Sequence, residues 1–404
     1  MTSATVTGRE DNSQELKTLA VISVVHLISH YYWLVFAPLM PALRDLLDVS
    51  YTELGVAVMV MNLVSALTQA PTGFIVDRYG PRLLLFIGML IGSAGFILAG
   101  VVPTYWMFMT GAVLIGLGNA VYHPADFSVL SAEMNPARMG RAFSVHSFMG
   151  YIGFAIAPPM AALFLWIDGV RLALIGTGVI GILVSLLLLP GIAIEQRNIK
   201  SDRLQPKTEG DKISAMSLMT PAVIGLTIMF TTLNMSTNIV QTFLVVALDQ
   251  LFAIPHNLGN GALTSFLTAM VVGILLGGLM ADRVRYQSSI ASIGLTLCAV
   301  VLVVIAVVPL SIWGAIACIT LAGFLGGIII PSRDLLVRQA SPPKAVGRTF
   351  GIVTTGFNFG GMVAPVIGGV MIDHHLPAWV FYGSAIFTIT TVVIALVVDR
   401  RAKD

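Results

Sequence analysis

The chain has 404 residues, 56% of them hydrophobic and only 10% charged, where soluble domains average about 25% charged. That composition excludes a water-soluble globule. Its 22 basic residues are nearly cancelled by 20 acidic ones, a net charge of +2, which excludes a nucleic-acid binder with a basic stripe.

A membrane-spanning helix needs about 20 mostly apolar residues, because lipid offers the backbone no hydrogen-bond partner. Stretches of this kind run over 18–43, 52–76, 82–102, 105–133, 139–166, 170–192, 220–248, 258–281, 288–308, 311–336, 346–372 and 377–398. The first apolar run is too long, and too soon followed by others, for a cleavable signal peptide. The polar stretch Glu195 to Lys212 between the sixth and seventh spans has the composition of a connector. The expected organisation is an N-terminal six-helix bundle over 1–192, a linker over 193–219, and a C-terminal six-helix bundle over 220–404. Cys298 and Cys318 both sit inside apolar runs and read as small hydrophobes, not as a disulfide or metal pair.

Positive charge is retained on the cytoplasmic side of a membrane. With the N-terminus inside, 19 Lys and Arg fall on the cytoplasmic side, Arg44 and Arg171 fall outside, and Arg333 lies within the tenth span. Both termini and the linker are therefore expected in the cytoplasm.

The two halves repeat each other at a constant offset of 207 residues. Pro124 matches Pro331, Gly140-Arg141 matches Gly347-Arg348, Phe143 matches Phe350, Gly153 matches Gly360, and Ala157-Pro158 matches Ala364-Pro365. Near the loops after the second and eighth spans, Gly73, Asp77 and Arg78 correspond to Gly278, Asp282 and Arg283. Parallel six-span repeats are one of the internal symmetries of secondary transporters, with substrate held between halves near the midplane.

These residues resemble the major facilitator superfamily. Its loop pattern G-x-x-x-D-R-x-G-[RK]-[RK] is matched by Gly73, Asp77, Arg78, Gly80 and Arg82, with Pro81 in place of a basic residue. A weaker copy holds Gly278, Asp282 and Arg283. Within the superfamily the chain is similar to the fosmidomycin-resistance-like branch of bacterial efflux carriers. That branch carries H-x-x-x-D in the first span, here His26 to His30, and G-x-G-x-x-x-[FY]-H-P in the fourth, here Gly116 to Pro124. The resemblance implies an all-α membrane fold of twelve transmembrane helices in two pseudo-symmetric six-helix bundles. It also implies a cavity lined by spans one, four, seven and ten.

Ionisable groups inside a membrane are costly and mark function. His26 and His30 share a helix face, as do Asn119 and His123. The equivalents of the first pair, at offset 208, are Asn234 and Asn238. Histidine changes charge near neutral pH, so His26, His30 and His123 are the expected proton sites. Asn119, Asn234, Asn238 and Gln241 are expected to hydrogen-bond substrate. Asp77, Arg78, Arg82, Asp126, Asp282, Arg283 and Arg333 are expected in the cytoplasmic gate, with Asp126 pairing Arg78 or Arg82. Arg333 has two readings, pairing with Asp282 or attracting an anion. Glycine rows such as Gly88/Gly92 and Gly273/Gly277 read as close helix packing.

No Walker loop, H-E-x-x-H or G-x-S-x-G occurs, so neither an ATP-driven pump nor an enzyme is expected, and no cofactor or resident metal. The expectation is a monomeric multi-pass carrier in a bacterial inner membrane. Its partners are a small organic solute, protons and the lipid bilayer, with export favoured. Proton-symport uptake and a divalent-metal carrier built on the histidines are the alternatives; a membrane-embedded enzyme or a non-transporting sensor ranks below them.

Overall fold

The computed structural model describes residues 3–135, 138–192, 195, 218–281, 287–342 and 346–401. In chain order the helices are α1 (Ser3–Leu34), α2 (Phe36–Leu47), α3 (Tyr51–Tyr79), α4 (Pro81–Val101), α5 (Tyr105–Glu133) and α6 (Met139–Ser185). They continue as α7 (Pro221–Phe252), α8 (His256–Ala281), α9 (Gln287–Val307), α10 (Ile312–Ala340), α11 (Val346–Asp373) and α12 (Ala378–Arg401). No strand occurs among the described residues.

Element boundaries follow from local chemistry. Pro38 has no amide hydrogen, and its ring crowds the carbonyl four residues earlier, that of Leu34. The first span breaks there into α1 and α2, bent by 41°. Within α6, Asp168 and Gly169 leave helical geometry, Gly169 at a φ of +78° that favours glycine. The hydroxyls of Thr104, Thr220 and Ser311 cap α5, α7 and α10.

Nine helices among the described residues are long and apolar enough to cross a membrane, counting α6 and its continuation to Ile192 once. The bent α1–α2 pair, the second arm of α6 and the shorter α9 complete the twelve spans expected from the sequence. The protein is a multi-pass membrane protein.

Two compact units form: Met1–Val35 with Leu63–Thr208, and Phe36–Asn62 with Glu209–Asp404. In the first, α4 and α5 approach to backbone contact. A Cβ at Gly95 would lie 2.6 Å from the Gly111 carbonyl oxygen, and one at Gly118 would lie 2.4 Å from that of Gly88. In the second, α8 and α10 do the same: a Cβ at Gly273 would lie 2.3 Å from the Phe324 oxygen, and one at Gly327 would lie 2.1 Å from that of Met270. Without a hydrophobic drive between helices in lipid, such close packing and interhelical hydrogen bonds hold bundles together. Tyr31 to Thr177 at 2.8 Å and Tyr32 to Ser93 at 2.7 Å tie α1 to α6 and α4. Ser236 meets Ser384 and Thr388, and Thr232 meets Thr391, between α7 and α12.

Candidate functional site

One cluster in the first unit gathers five titratable side chains from three helices. His26 and His30 come from one face of α1, His123 and Asp126 from one face of α5, and His146 from α6. Spacings of four and three residues put each pair on a common helix face. His26 Nδ1 lies 3.1 Å from Asp126 Oδ2, and His146 Nε2 lies 3.5 Å from the same oxygen. Ring centroids are 3.8 Å apart for His26 and His146, 4.5 Å for His26 and His30, and 5.5 Å for His26 and His123. Asp126 is fully buried and His146 and His26 nearly so; His30 is half-buried and His123 exposed. Phe154 packs on His30, with centroids 4.4 Å apart.

The neighbouring helix α6 makes room for two of these rings by leaving out a side chain. A Cβ at Gly150 would lie 2.8 Å from His26 Nε2 and 2.9 Å from His30 Cε1. Several polar atoms of the cluster have no hydrogen-bond partner among the described residues: Asp126 Oδ1, both His146 ring nitrogens and His30 Nδ1. A buried polar atom without a partner costs free energy, so an ionisable group held this way asks for a functional reason.

One ligand atom each from His26, Asp126 and His146 falls within 4.8 Å of the others. Imidazole binds a metal through a lone pair in the ring plane. The His26 and His146 rings of this trio are stacked and tilted by 27°, and one nitrogen of each approaches the same Asp126 oxygen.

The structure corrects the expected pairing of Asp126 with Arg78 or Arg82. Its carboxylate faces His26 and His146, while Arg82 is held by Glu133, with Nη2 2.7 Å from Oε2, and by Glu195, whose Oε2 accepts from the Arg82 backbone N–H at 3.0 Å. Thr18 donates to Glu133 at 2.8 Å. Burial pushes the Glu195 carboxyl above its ordinary value, against the pull of the Arg82 amide and guanidinium. Arg138 pairs with Glu15. Asp77 is exposed, and Arg78 lies over the Tyr79 ring at 5.3 Å. Asp282 and Arg283 lie outside the described residues.

Other expected site residues sit elsewhere. Asn119 donates to Ser65 at 2.9 Å, a contact between α5 and α3. In the second unit, Asn238 and Gln241 are buried in α7, and Thr242 donates to Asn238. The Asn234 side-chain oxygen is buried with no hydrogen-bond partner among the described residues, against Gly360. Arg333 is 8% exposed, stacks on Phe230 at 4.6 Å and Phe357 at 5.0 Å, and pairs with Asp334 at 2.8 Å. His146 and Gly150 were not singled out for the site by sequence reasoning. The available signal was their spacing of four, which stacks both on one face of α6.

A family model described as Major Facilitator Superfamily matches residues 22–255 and 226–404. The chain belongs to the major facilitator superfamily. Fosmidomycin resistance protein of Escherichia coli (strain K12) is 22% identical over 402 residues, covering 96% of this chain and 94% of that protein. The probable L-galactonate transporter of the same strain is 31% identical over 144 residues, 36% of this chain and 32% of that protein. Among solved structures, a bacterial homolog to the human lysosomal transporter Spinster, inward-facing and occupied, has a TM-score of 0.80 at 13% identity. That match covers 95% of this chain and 96% of the other. As a superfamily member the chain is a transporter of small solutes.

Proposed function

We propose that this superfamily member is a proton-coupled secondary transporter of a bacterial inner membrane that exports a small organic anion or drug by alternating access. In this reading the chain acts as a monomer and is no enzyme. Its bundles over 1–192 and 220–404 are joined by the 193–219 linker, with linker and termini cytoplasmic. The distribution of 19 Lys and Arg on that side against two on the other supports the orientation.

The observation that carries the coupling is the cluster of one carboxylate and four imidazoles inside otherwise apolar spans. A carboxylate at the centre of a spanning helix costs roughly 2.5–3.5 kcal/mol on insertion scales. Imidazoles gain or lose a proton near neutral pH. A proton taken up by the Asp126, His26 and His146 group on one side and released on the other supplies the drive. The exposed ring of His123 and the half-buried ring of His30 connect that group with solute. On α7, Asn234, Asn238 and Gln241 provide neutral hydrogen-bonding groups. The similarity to fosmidomycin resistance protein along 96% of the chain supports export. The higher identity to the probable L-galactonate transporter over 144 residues favours a second reading, uptake of an organic anion by proton symport through the same cluster.

Reconstitution into liposomes with a trapped pH-sensitive dye tests the proposal by screening organic anions and drugs for solute-triggered proton movement. His26→Ala and His123→Ala are each expected to abolish coupled flux while the purified protein stays folded. Unchanged coupling in both variants removes them from the mechanism.

A further inference from the structure

We infer that Asp373 is a latch that holds the start of α3 closed on α11 during the transport cycle, on the membrane face opposite the termini. The inference rests on the alternating-access reading above. It begins with the backbone of α3. The first amides of a helix have no intrahelical partner and carry the positive end of its dipole. Ser50 and Glu53 form a reciprocal capping box: the Ser50 N–H donates to Glu53 Oε2 at 2.8 Å, and the Glu53 N–H donates to Ser50 Oγ at 3.1 Å. That local cap leaves the amides of Tyr51 and Thr52 over.

Both are taken by a residue more than 300 positions away. Asp373, the last residue of α11, accepts the Tyr51 N–H on Oδ1 at 3.0 Å and the Thr52 N–H on Oδ2 at 2.8 Å. The Thr52 hydroxyl donates to Oδ2 as well, at 2.6 Å. One carboxylate thus supplies acceptors and countercharge to a helix end that its own sequence caps only in part.

The contact continues along α11 at a spacing of four through Gly369, Pro365 and Gly361. A Cβ at Gly369 would lie 2.6 Å from the Tyr51 carbonyl oxygen, and one at Gly55 would lie 2.4 Å from that of Pro365. A Cβ at Gly361 would lie 2.2 Å from Asn62 Oδ1. Small residues on both helices let residues 51–62 of α3 lie directly on α11, and this segment groups with the second unit while the rest of α3 belongs to the first. If the bundles over 1–192 and 220–404 part on this face, as in the alternating-access reading, α3 leaves α11, three hydrogen bonds break, and two amides and a carboxylate are bared. Asp373 therefore biases the cycle against opening there.

The test uses the full-length protein in nanodiscs, with Cys298→Ala and Cys318→Ala removing the native thiols. Val58→Cys is the reporter; Val58 is 7% exposed and shares the α3 face of Gly55 and Asn62. A hydrophilic maleimide is expected to label the reporter about fivefold faster in Asp373→Asn, which keeps the shape and loses the charge and one acceptor oxygen. Thr52→Val, which removes one hydroxyl and keeps the volume, is expected to give about a twofold increase. Equal or slower labelling in both variants overturns the latch. Labelling needs neither a known solute nor a proton gradient, so absence of coupled flux in liposomes would count against the proposed coupling and leave this result standing.

Discussion

Gly150→Ala is the sharpest probe of the histidine cluster, because it touches the rings without removing a titratable group. Ordinary van der Waals contact begins near 3.4 Å, and the new methyl carbon would lie 2.8 Å from His26 Nε2, 2.9 Å from His26 Cδ2 and 2.9 Å from His30 Cε1. Each ring must retreat by about 0.6 Å, the shortfall between 2.8 and 3.4 Å. His26 has little freedom to do so, since its other side is stacked on His146 at 3.8 Å and its Nδ1 is bonded to Asp126 at 3.1 Å. Overpacking of a close-packed interior costs about 1–3 kcal/mol, which a folded membrane protein tolerates. A displacement near 1 Å at a reacting group can cost about 100-fold in rate, so proton-coupled flux is expected to fall at least tenfold. The assay is solute-driven acidification in liposomes across a range of pH, with thermal unfolding in detergent to confirm the fold. Gly140→Ala on the same helix is the control, because a Cβ there meets nothing within 4 Å. A folded Gly150→Ala variant with wild-type flux and an unshifted pH profile would refute the argument that ring placement sets coupling.

Three further outcomes follow from the contacts of the first unit. Asp126→Asn keeps an acceptor for His26 and is expected to leave the unfolding midpoint nearly unchanged while abolishing proton movement; retained proton movement in liposomes would take Asp126 out of the coupling site. Arg82→Gln removes the guanidinium held by Glu133 and Glu195. With Glu133 33% exposed, solvent screens the pair and the loss is expected at about 1 kcal/mol in chemical denaturation. Tyr32→Phe deletes the buried hydrogen bond to Ser93 and is expected to cost about 1 kcal/mol by the same measurement, with no effect on the pH dependence of flux.

The sequence made the spans legible because a membrane crossing needs a long apolar run, and almost nothing else does. It also made the close helix packing legible: Gly88, Gly273 and Gly277 meet backbone as their spacing suggested. Side-chain partners were harder. Counting depth along α5 placed Asp126 toward the cytoplasmic edge, near Arg82. Rotation about the helix axis matters more, and it turns Asp126 with His123 toward α1. The rotation and register of α6 against α1 are set by tertiary packing at Gly150 and Gly153, and no local pattern carries them. Glu133 lay in plain view near the end of its span, but its choice of Arg82 depends on how α4 and α5 cross. Tyr31, an aromatic near the middle of the first span, is 1% exposed and bonded to Thr177, a partner 146 residues away that no local pattern announces.

The two units solve the same packing problem with different polar chemistry. Where α1, α5 and α6 meet, the buried polar groups include the ionisable His26, Asp126 and His146, and several of the cluster's atoms lack hydrogen-bond partners among the described residues. Where α7 and α12 meet, they are Ser236, Ser384, Thr388, Thr232 and Thr391, hydroxyls that satisfy one another or a backbone carbonyl. A satisfied hydroxyl ladder gains nothing from a proton and fixes one arrangement of its helices. Under the proposed coupling, a proton entering the incompletely satisfied cluster of imidazoles and a carboxylate would change its internal charge and so its preferred arrangement. At repeat-related positions the first half carries the titratable His26 and His30 and the second half the neutral Asn234 and Asn238, and there the two halves differ in what they can respond to.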